Sequence, residues 1–239
     1  MSEQEVVFAG KEKMVYGTDD PQLVRMRYSD LTTAFHGIKK AILKGKGISA
    51  NKISAIVFGH LAEAGIPVHF VKLLSDREQL CRRVENIPLQ IVVRNRIVGT
   101  TARLLGLEQG TEIANTIFEL RYNCDELCDP LINDHHAVAL GLASYADLGY
   151  MYDLARKADE VMTGLFAKAG IELVDFKMEF GRDADGEIII CDELSPDNCR
   201  LWETGSGRCL DKDRFRHDMS DVCASYKEVL DRLIKATEK

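Results

Sequence analysis

The chain is 239 residues long, 46% hydrophobic and 29% charged, a globular composition with length enough for one large or two small domains. Its net charge of −7 argues against coating nucleic acid, which calls for a basic surplus. The opening MSEQEVVFAG lacks a signal peptide's basic and apolar regions, and nothing approaches the roughly 20 apolar residues that span a bilayer, so the expectation is a cytoplasmic protein without membrane contact.

The first forty residues read as strands, Val6–Ala9, Lys11–Tyr16 and Leu23–Tyr28, with a turn at Gly17–Pro21. Lys11 and Lys13 lie two apart, so on a strand both ammonium groups leave from one face. Alone they read as a solvated edge strand; beside a phosphate site they are cations for a nucleotide. Gly45-Lys46-Gly47 lacks the spacing of a P-loop. A helix is expected from Ser49 to Ala64, strands at Val68–Leu74 and Gln79–Val84, and a hinge between two lobes at Val84–Pro88. The strand Leu89–Arg96 then leads to Gly99-Thr100, where Arg94 and Arg96 next to a glycine-hydroxyl turn suit phosphate binding.

A short helix at Thr101–Leu105 and a strand at Glu112–Arg121 follow, then an irregular polar loop from Cys124 to His136. The seven cysteines read as reduced thiols, and Cys124, Cys128, His135 and His136 fit no common zinc spacing. Ser144 and Asp147 form a capping box for a helix reaching Lys168, whose buried stripe includes Met151, Leu154, Ala158 and Met162. The last helix, Val222–Ile234, packs Tyr226, Val229 and Leu233.

Between these helices, Asp175, Lys177 and Glu179 alternate with Val174, Phe176, Met178 and Phe180, a strand with one buried and one polar face. Asp183-Ala184-Asp185-Gly186 is a turn composition, and Glu187–Cys191 returns to Asp192-Glu193. A hairpin folded about Ala184 and Asp185 puts Lys177 opposite Asp192, with Glu179 diagonal to it, close enough for two carboxylates to share a cation. A one-residue slip would move the set to the other face. Two carboxylates with lysine and Arg200 describe a site for magnesium and phosphates; a solvated ribbon of paired charges is the plain alternative.

Taken together the motifs resemble the phosphoribosylaminoimidazole-succinocarboxamide synthase (SAICAR synthetase) family. The resemblance rests on Gly10-Lys11-x-Lys13-x-x-Tyr16, Gly45-Lys46-Gly47, Ile87-Pro88-Leu89-x-x-Val92-Val93-Arg94-Asn95-Arg96-x-x-Gly99-Thr100, Leu173–Gly181, Asp192-Glu193-x-Ser195-Pro196-Asp197-x-x-Arg200-Leu201-Trp202 and Asp211–Arg216. Gln90 stands where the family usually has Glu, Thr100 where it has Ser, and His36 where a segment beginning at Ser29-Asp30 usually ends in an acid.

The resemblance implies an α+β fold of two lobes. Residues 1–86 would form an N-terminal antiparallel β-lobe that binds ATP, residues 87–239 a larger α+β lobe with the metal and substrate sites, and the nucleotide would lie in the cleft between. It implies an ATP-dependent ligase of purine biosynthesis that joins the carboxylate of carboxyaminoimidazole ribonucleotide (CAIR) to L-aspartate through an acyl phosphate, with Mg2+ and as a homodimer. On that reading Lys11 and Lys13 hold the ATP phosphates, Glu179 and Asp192 the magnesium, and Val15 and Val84 flank the adenine, with Leu23 or Val24 nearby. Arg94, Thr100, Arg200, Lys212 and Arg216 are candidates for CAIR and Asp30 for aspartate. Lys177 stabilises the transferring phosphoryl group, and Asp175 either orients the imidazole amine or assists deprotonation of the incoming ammonium.

Overall fold

Short apolar runs broken by turn residues build the first half of the computed structural model, which describes residues 5–10, 12–35 and 37–238. Strands β1 (Val6–Ala9), β2 (Lys13–Gly17) and β3 (Leu23–Tyr28) are followed by a separate hairpin, β4 (Leu31–Ala34) and β5 (Lys39–Ile42). Helix α1 (Lys46–Glu63) and strands β6 (Phe70–Ser75) and β7 (Glu78–Arg82) complete it. Five of these strands form an antiparallel sheet in the order β1-β2-β3-β7-β6. Alternation in β3 turns Val24, Met26 and Tyr28 inward, where they meet Cys81 and Ala50 of α1 in a small core.

The second half runs β8 (Glu85–Ile97), α2 (Gly99–Leu105), β9 (Thr111–Tyr122), β10 (Leu131–Ile132), α3 (Asp134–Ala139) and α4 (Tyr145–Lys168). It continues through β11 (Ile171–Arg182), β12 (Ile188–Cys191), β13 (Cys199–Glu203), α5 (Asp213–Arg216) and α6 (Val222–Thr237). Its sheet has the order β10-β9-β8-β11-β12, and β13 shares the far edge of β11 with β12. All pairings within both sheets are antiparallel, giving an α+β architecture.

One face of this sheet carries the main core. Leu89, Ile91 and Val93 of β8 and Phe176, Met178 and Phe180 of β11 pack with Met151, Leu154, Ala158 and Met162 of α4. Full burial stabilises such side chains by about 1.5–3 kcal/mol each. Ile53, Val57, Phe58 and Leu61 of α1 belong to the same core, as do Val229 and Leu233 of α6, so the main core draws on residues from both sides of residue 86.

Four sequence expectations change. Helix α1 starts at Lys46, three residues before Ser49, because Gly45 takes a left-handed conformation at φ 90° and the Asp30 carboxylate accepts the Gly47 N–H at 3.1 Å. The expected hinge is strand from Glu85 onward, with Glu85, Asn86 and Ile87 paired to Arg182, Gly181 and Phe180; Pro88, which lacks an N–H, falls at the irregularity after Ile87. The Cys124–His136 loop contains a 3-10 turn, β10 and the start of α3, which Asn133 and His136 cap reciprocally. The hairpin turn is one residue longer than expected. Asp183 pairs with Glu187, Gly186 takes φ 83°, and the Asp183 carboxylate accepts the N–H groups of Asp185 and Glu187, both at 3.1 Å. Glu179 therefore opposes Cys191.

Close approach makes one glycine specific. A Cβ on Gly181 would lie 2.7 Å from the Val84 side chain and 3.0 Å from the Glu85 carbonyl oxygen. Gly181→Ala is expected to destabilise the fold by about 1–3 kcal/mol, read as a lower urea midpoint with an unchanged slope.

Candidate active site

Directly opposed residues on antiparallel strands share a face. On the face turned away from the main core, the registers of β9, β8 and β11 therefore set three rows: Arg121, Gln90 and Glu179; Glu119, Val92 and Lys177; Ile117, Arg94 and Asp175. Arg200 of β13 extends the third row. Five of the ionisable residues singled out in the sequence, Arg94, Asp175, Lys177, Glu179 and Arg200, lie on this floor.

At one end Glu179 and Asp192 come together despite the longer turn. Asp192 sits at φ 67°, which takes it out of strand alternation, and its charge acts directly on Glu179. Lys13 enters from the five-stranded sheet, hydrogen-bonded to Asp192 and 2.9 Å from Glu193; Lys177 lies 3.1 Å from Glu179. Burial, then the Asp192 charge, pushes the Glu179 carboxyl above the usual range, while Lys177 and Lys13 pull it back. Burial also opposes the Asp192 charge, yet Lys13 and Lys177 hold its carboxyl below the ordinary value. Both lysines titrate above theirs, burial being outweighed by Asp192 and Glu193 at Lys13 and by Glu179 and Asp192 at Lys177. The side chains of Glu179 and Asp192 keep 16% and 25% exposure, so the pair opens towards solvent.

At the other end Asp175 joins two guanidinium groups. It accepts from Arg94 and, at 2.7 Å, from Arg200. Arg200 also donates to Asp213 at 2.7 Å, and Asp213 pairs with Arg216. Gly99, at φ 62°, presses its backbone against Arg200, where a Cβ would lie 2.9 Å from a guanidinium nitrogen; Thr100 follows it, exposed in the first turn of α2. Arg94 is only 4% exposed, and its remaining donors go to Glu119 at 2.7 and 3.0 Å and to the Val98 carbonyl oxygen at 3.5 Å. Burial works against the Glu119 charge, but hydrogen bonds from Arg94, Thr101 and Arg121 hold its carboxyl at about 2.

Several expected site residues stand apart. Asp30 is gripped by Arg77 at 2.8 and 2.9 Å, which, with the N–H groups of Gly45 and Gly47, lowers its carboxyl to about 2 against a small cost of burial. Lys212 is buried, 2.6 Å from Glu12 and 3.6 Å from Asp197. Val15 packs against the small core, and Val84 covers Gly181. Lys11 and His36 lie outside the described residues. Asp175 faces arginines and is itself 3% exposed, an orienting position for those side chains.

Sequence reasoning missed a buried ionic chain behind the floor. Glu12 accepts from the Thr33 N–H at 2.7 Å, from Lys212 at 2.6 Å and from Lys46 at 3.3 Å. Lys46 also pairs with Asp197 at 2.7 Å, and Asp197 accepts from the Tyr226 hydroxyl at 3.0 Å. Ser195 donates to Glu193 at 2.6 Å, which leads back to Lys13. No periodicity signals this ionic chain, because Glu12 precedes β2, which begins at Lys13. Oxygens of Glu12, Glu193 and Asp197 lie within 4.8 Å of one another. Lys13, Lys46 and Lys212 pair with that trio in a nearly closed setting, whereas Glu179 and Asp192, though paired with Lys177 and Lys13, stay partly open to solvent, and the second pair is the more accessible place for a cation.

A family model described as SAICAR synthetase matches residues 6–233. The chain belongs to the SAICAR synthetase family. It is 49% identical to the phosphoribosylaminoimidazole-succinocarboxamide synthase of Fusobacterium nucleatum over the full length of both chains. Identity is also 49% to the synthase of Dichelobacter nodosus, over 98% of each. Among solved structures, the synthase from Ehrlichia chaffeensis superposes with a TM-score of 0.94 at 36% identity, covering 98% of this chain and 100% of that one. A SAICAR synthetase in complex with ADP superposes at 0.93 with 40% identity and the same coverage. As a member of the SAICAR synthetase family the chain is an ATP-dependent ligase of purine biosynthesis, acting on the small molecules CAIR and L-aspartate. Among the described residues no helix is long and apolar enough to cross a membrane.

Proposed function

We propose that the ligase reaction runs along the polar face of β11, with nucleotide chemistry at Glu179 and ribonucleotide binding at the Asp175 end. The observation that carries this reading is the meeting of Glu179, Asp192, Lys177 and Lys13. An oxygen-only donor set with two mutually repelling carboxylates suits a hard cation such as Mg2+. Glu179 and Asp192 would hold magnesium there, and it would supply positive charge against the nucleotide phosphates.

A free carboxylate does not form an amide because oxide is not a viable leaving group. Phosphorylation of the CAIR carboxylate by ATP gives an acyl phosphate and ADP; the aspartate amine then attacks the acyl carbon, and phosphate leaves. The protein's part is positioning and charge stabilisation. Lys13, with Lys11, steadies the ATP phosphates, and Val15 and Val84 line the adenine. Lys177, kept charged by Glu179 and Asp192, faces the phosphoryl group in flight. Arg200, Arg216 and Thr100 hold the CAIR phosphate, while Asp175 fixes Arg200 and Arg94 rather than moving a proton. Arg94, Lys212 and Asp30, committed to protein partners, support this arrangement from behind. Residues 1–86 supply the nucleotide wall and 87–239 the floor, with α1 shared between them. Its phosphorylated substrates make the cytoplasm the working compartment.

ADP formation should require both CAIR and L-aspartate for sustained turnover, and a kinase-like dependence on one acceptor would overturn the reading. Glu179→Ala is expected to lower turnover by about 10³-fold with the circular dichroism spectrum intact. Full activity of that variant at low magnesium would remove Glu179 from the metal site.

A further inference from the structure

The middle of the floor holds a side chain that the scheme above does not use. Gln90 of β8 is 1% exposed, and among the described residues neither its Nε2 nor its Oε1 has a hydrogen-bond partner. Its register places it between Arg121 and Glu179 on one face. A buried amide with both atoms unpaired is uncommon and destabilising. Both neighbours are engaged elsewhere: Arg121 donates to Glu119 at 2.8 and 3.2 Å and to the Asp129 carbonyl oxygen at 3.2 Å, and Glu179 takes its lysine at 3.1 Å.

We infer that Gln90 is a positioning residue for Glu179 in the nucleotide-loaded site, donating from Nε2 to that carboxylate and accepting from Arg121 at Oε1. The inference rests on the reading that Glu179 serves the nucleotide and its cation. Once Lys177 turns to the phosphoryl group, Glu179 loses its donor, and the amide directly across the ladder is the replacement within reach. Where the family usually has Glu, the amide of this chain gives one donor and one acceptor and leaves one negative charge fewer beside Glu179 and Asp192. An apolar side chain of similar length would suit the free protein better and the loaded one worse.

That opposition of signs is the test. Gln90→Met and Gln90→Leu are made in the full chain and compared with the parent by thermal melting, with and without ADP and magnesium, and by steady-state kinetics. Without nucleotide the variants should melt at the parent's temperature or about 2–4 °C higher, the shift expected when an unpaired buried polar group is removed from a chain of this size. The rise in melting temperature on adding ADP and magnesium should shrink, and KM for ATP should increase about tenfold, the worth of one hydrogen bond to a charged group. KM for CAIR should stay within about twofold of the parent's, because the Arg200 end is untouched. Variants that melt lower and bind ADP like the parent would show a structural amide and overturn the inference, as would kinetics and ADP response unchanged in both. A parent whose ADP-induced stabilisation is indifferent to magnesium would instead remove the metal reading on which the inference stands.

Discussion

Replacing Lys177 by methionine is expected to lower kcat by about 10²–10³-fold, the range for losing one preorganised charge aimed at a transition state. Methionine keeps the length and flexibility of the stem, so the floor should hold, and KM for CAIR should change little. Single-turnover ADP formation isolates the step. The pH profile should move as well. In the parent, Lys177 helps keep Glu179 ionised against burial and the neighbouring Asp192 charge. Without that lysine the folded pKa of Glu179 rises further, so the ionised form needed for a cation is lost at a higher pH as the solution is acidified. The acidic limb of the kcat/KM profile should therefore shift upward. An unshifted profile with a small loss of rate would place Lys177 outside the chemistry.

Asp175→Asn carries the largest expected cost in stability. The carboxylate bridges Arg94 and Arg200 in a nearly closed setting. Both guanidinium groups donate to the same oxygen, Oδ2, and an amide keeps an acceptor there but removes the negative charge that offsets the two cations. Breaking a buried ionic junction in this way costs about 3–5 kcal/mol, on the order of 10 °C in melting temperature for a chain this long. Arg94 retains Glu119 and Arg200 retains Asp213, so the variant should still fold at low temperature, where its KM for CAIR can be measured and should rise. A variant as stable as the parent would mean that Asp175 is not the keystone of this row.

The alternation in β11 was legible because a strand's period of two separates its faces without reference to the rest of the chain. The capping box at Ser144 and the stripe of α4 were legible for the same local reason. The hairpin register was not. Gly186 marks the turn, but whether two or three residues close it depends on where Asp183 spends its carboxylate. The slip that would have carried Asp192 to the wrong face was cancelled by its left-handed backbone, a feature no periodicity reports. The burial of Arg94 and Lys212 was not legible either, since charged residues are usually exposed. Their burial depends on Glu119, Glu12 and Asp197, which lie far along the chain from them and enter only through the fold. Charge type can be read along one strand; who neutralises whom cannot.

The backbone at residue 192 also restricts what evolution can place there. Among the twenty side chains, asparagine and glycine accept that twist but bring no charge, and glutamate brings the charge on a stem less suited to the twist. Aspartate alone satisfies both demands, so the position has a vocabulary of one word, and a drift to glutamate there would be as consequential as a drift to alanine.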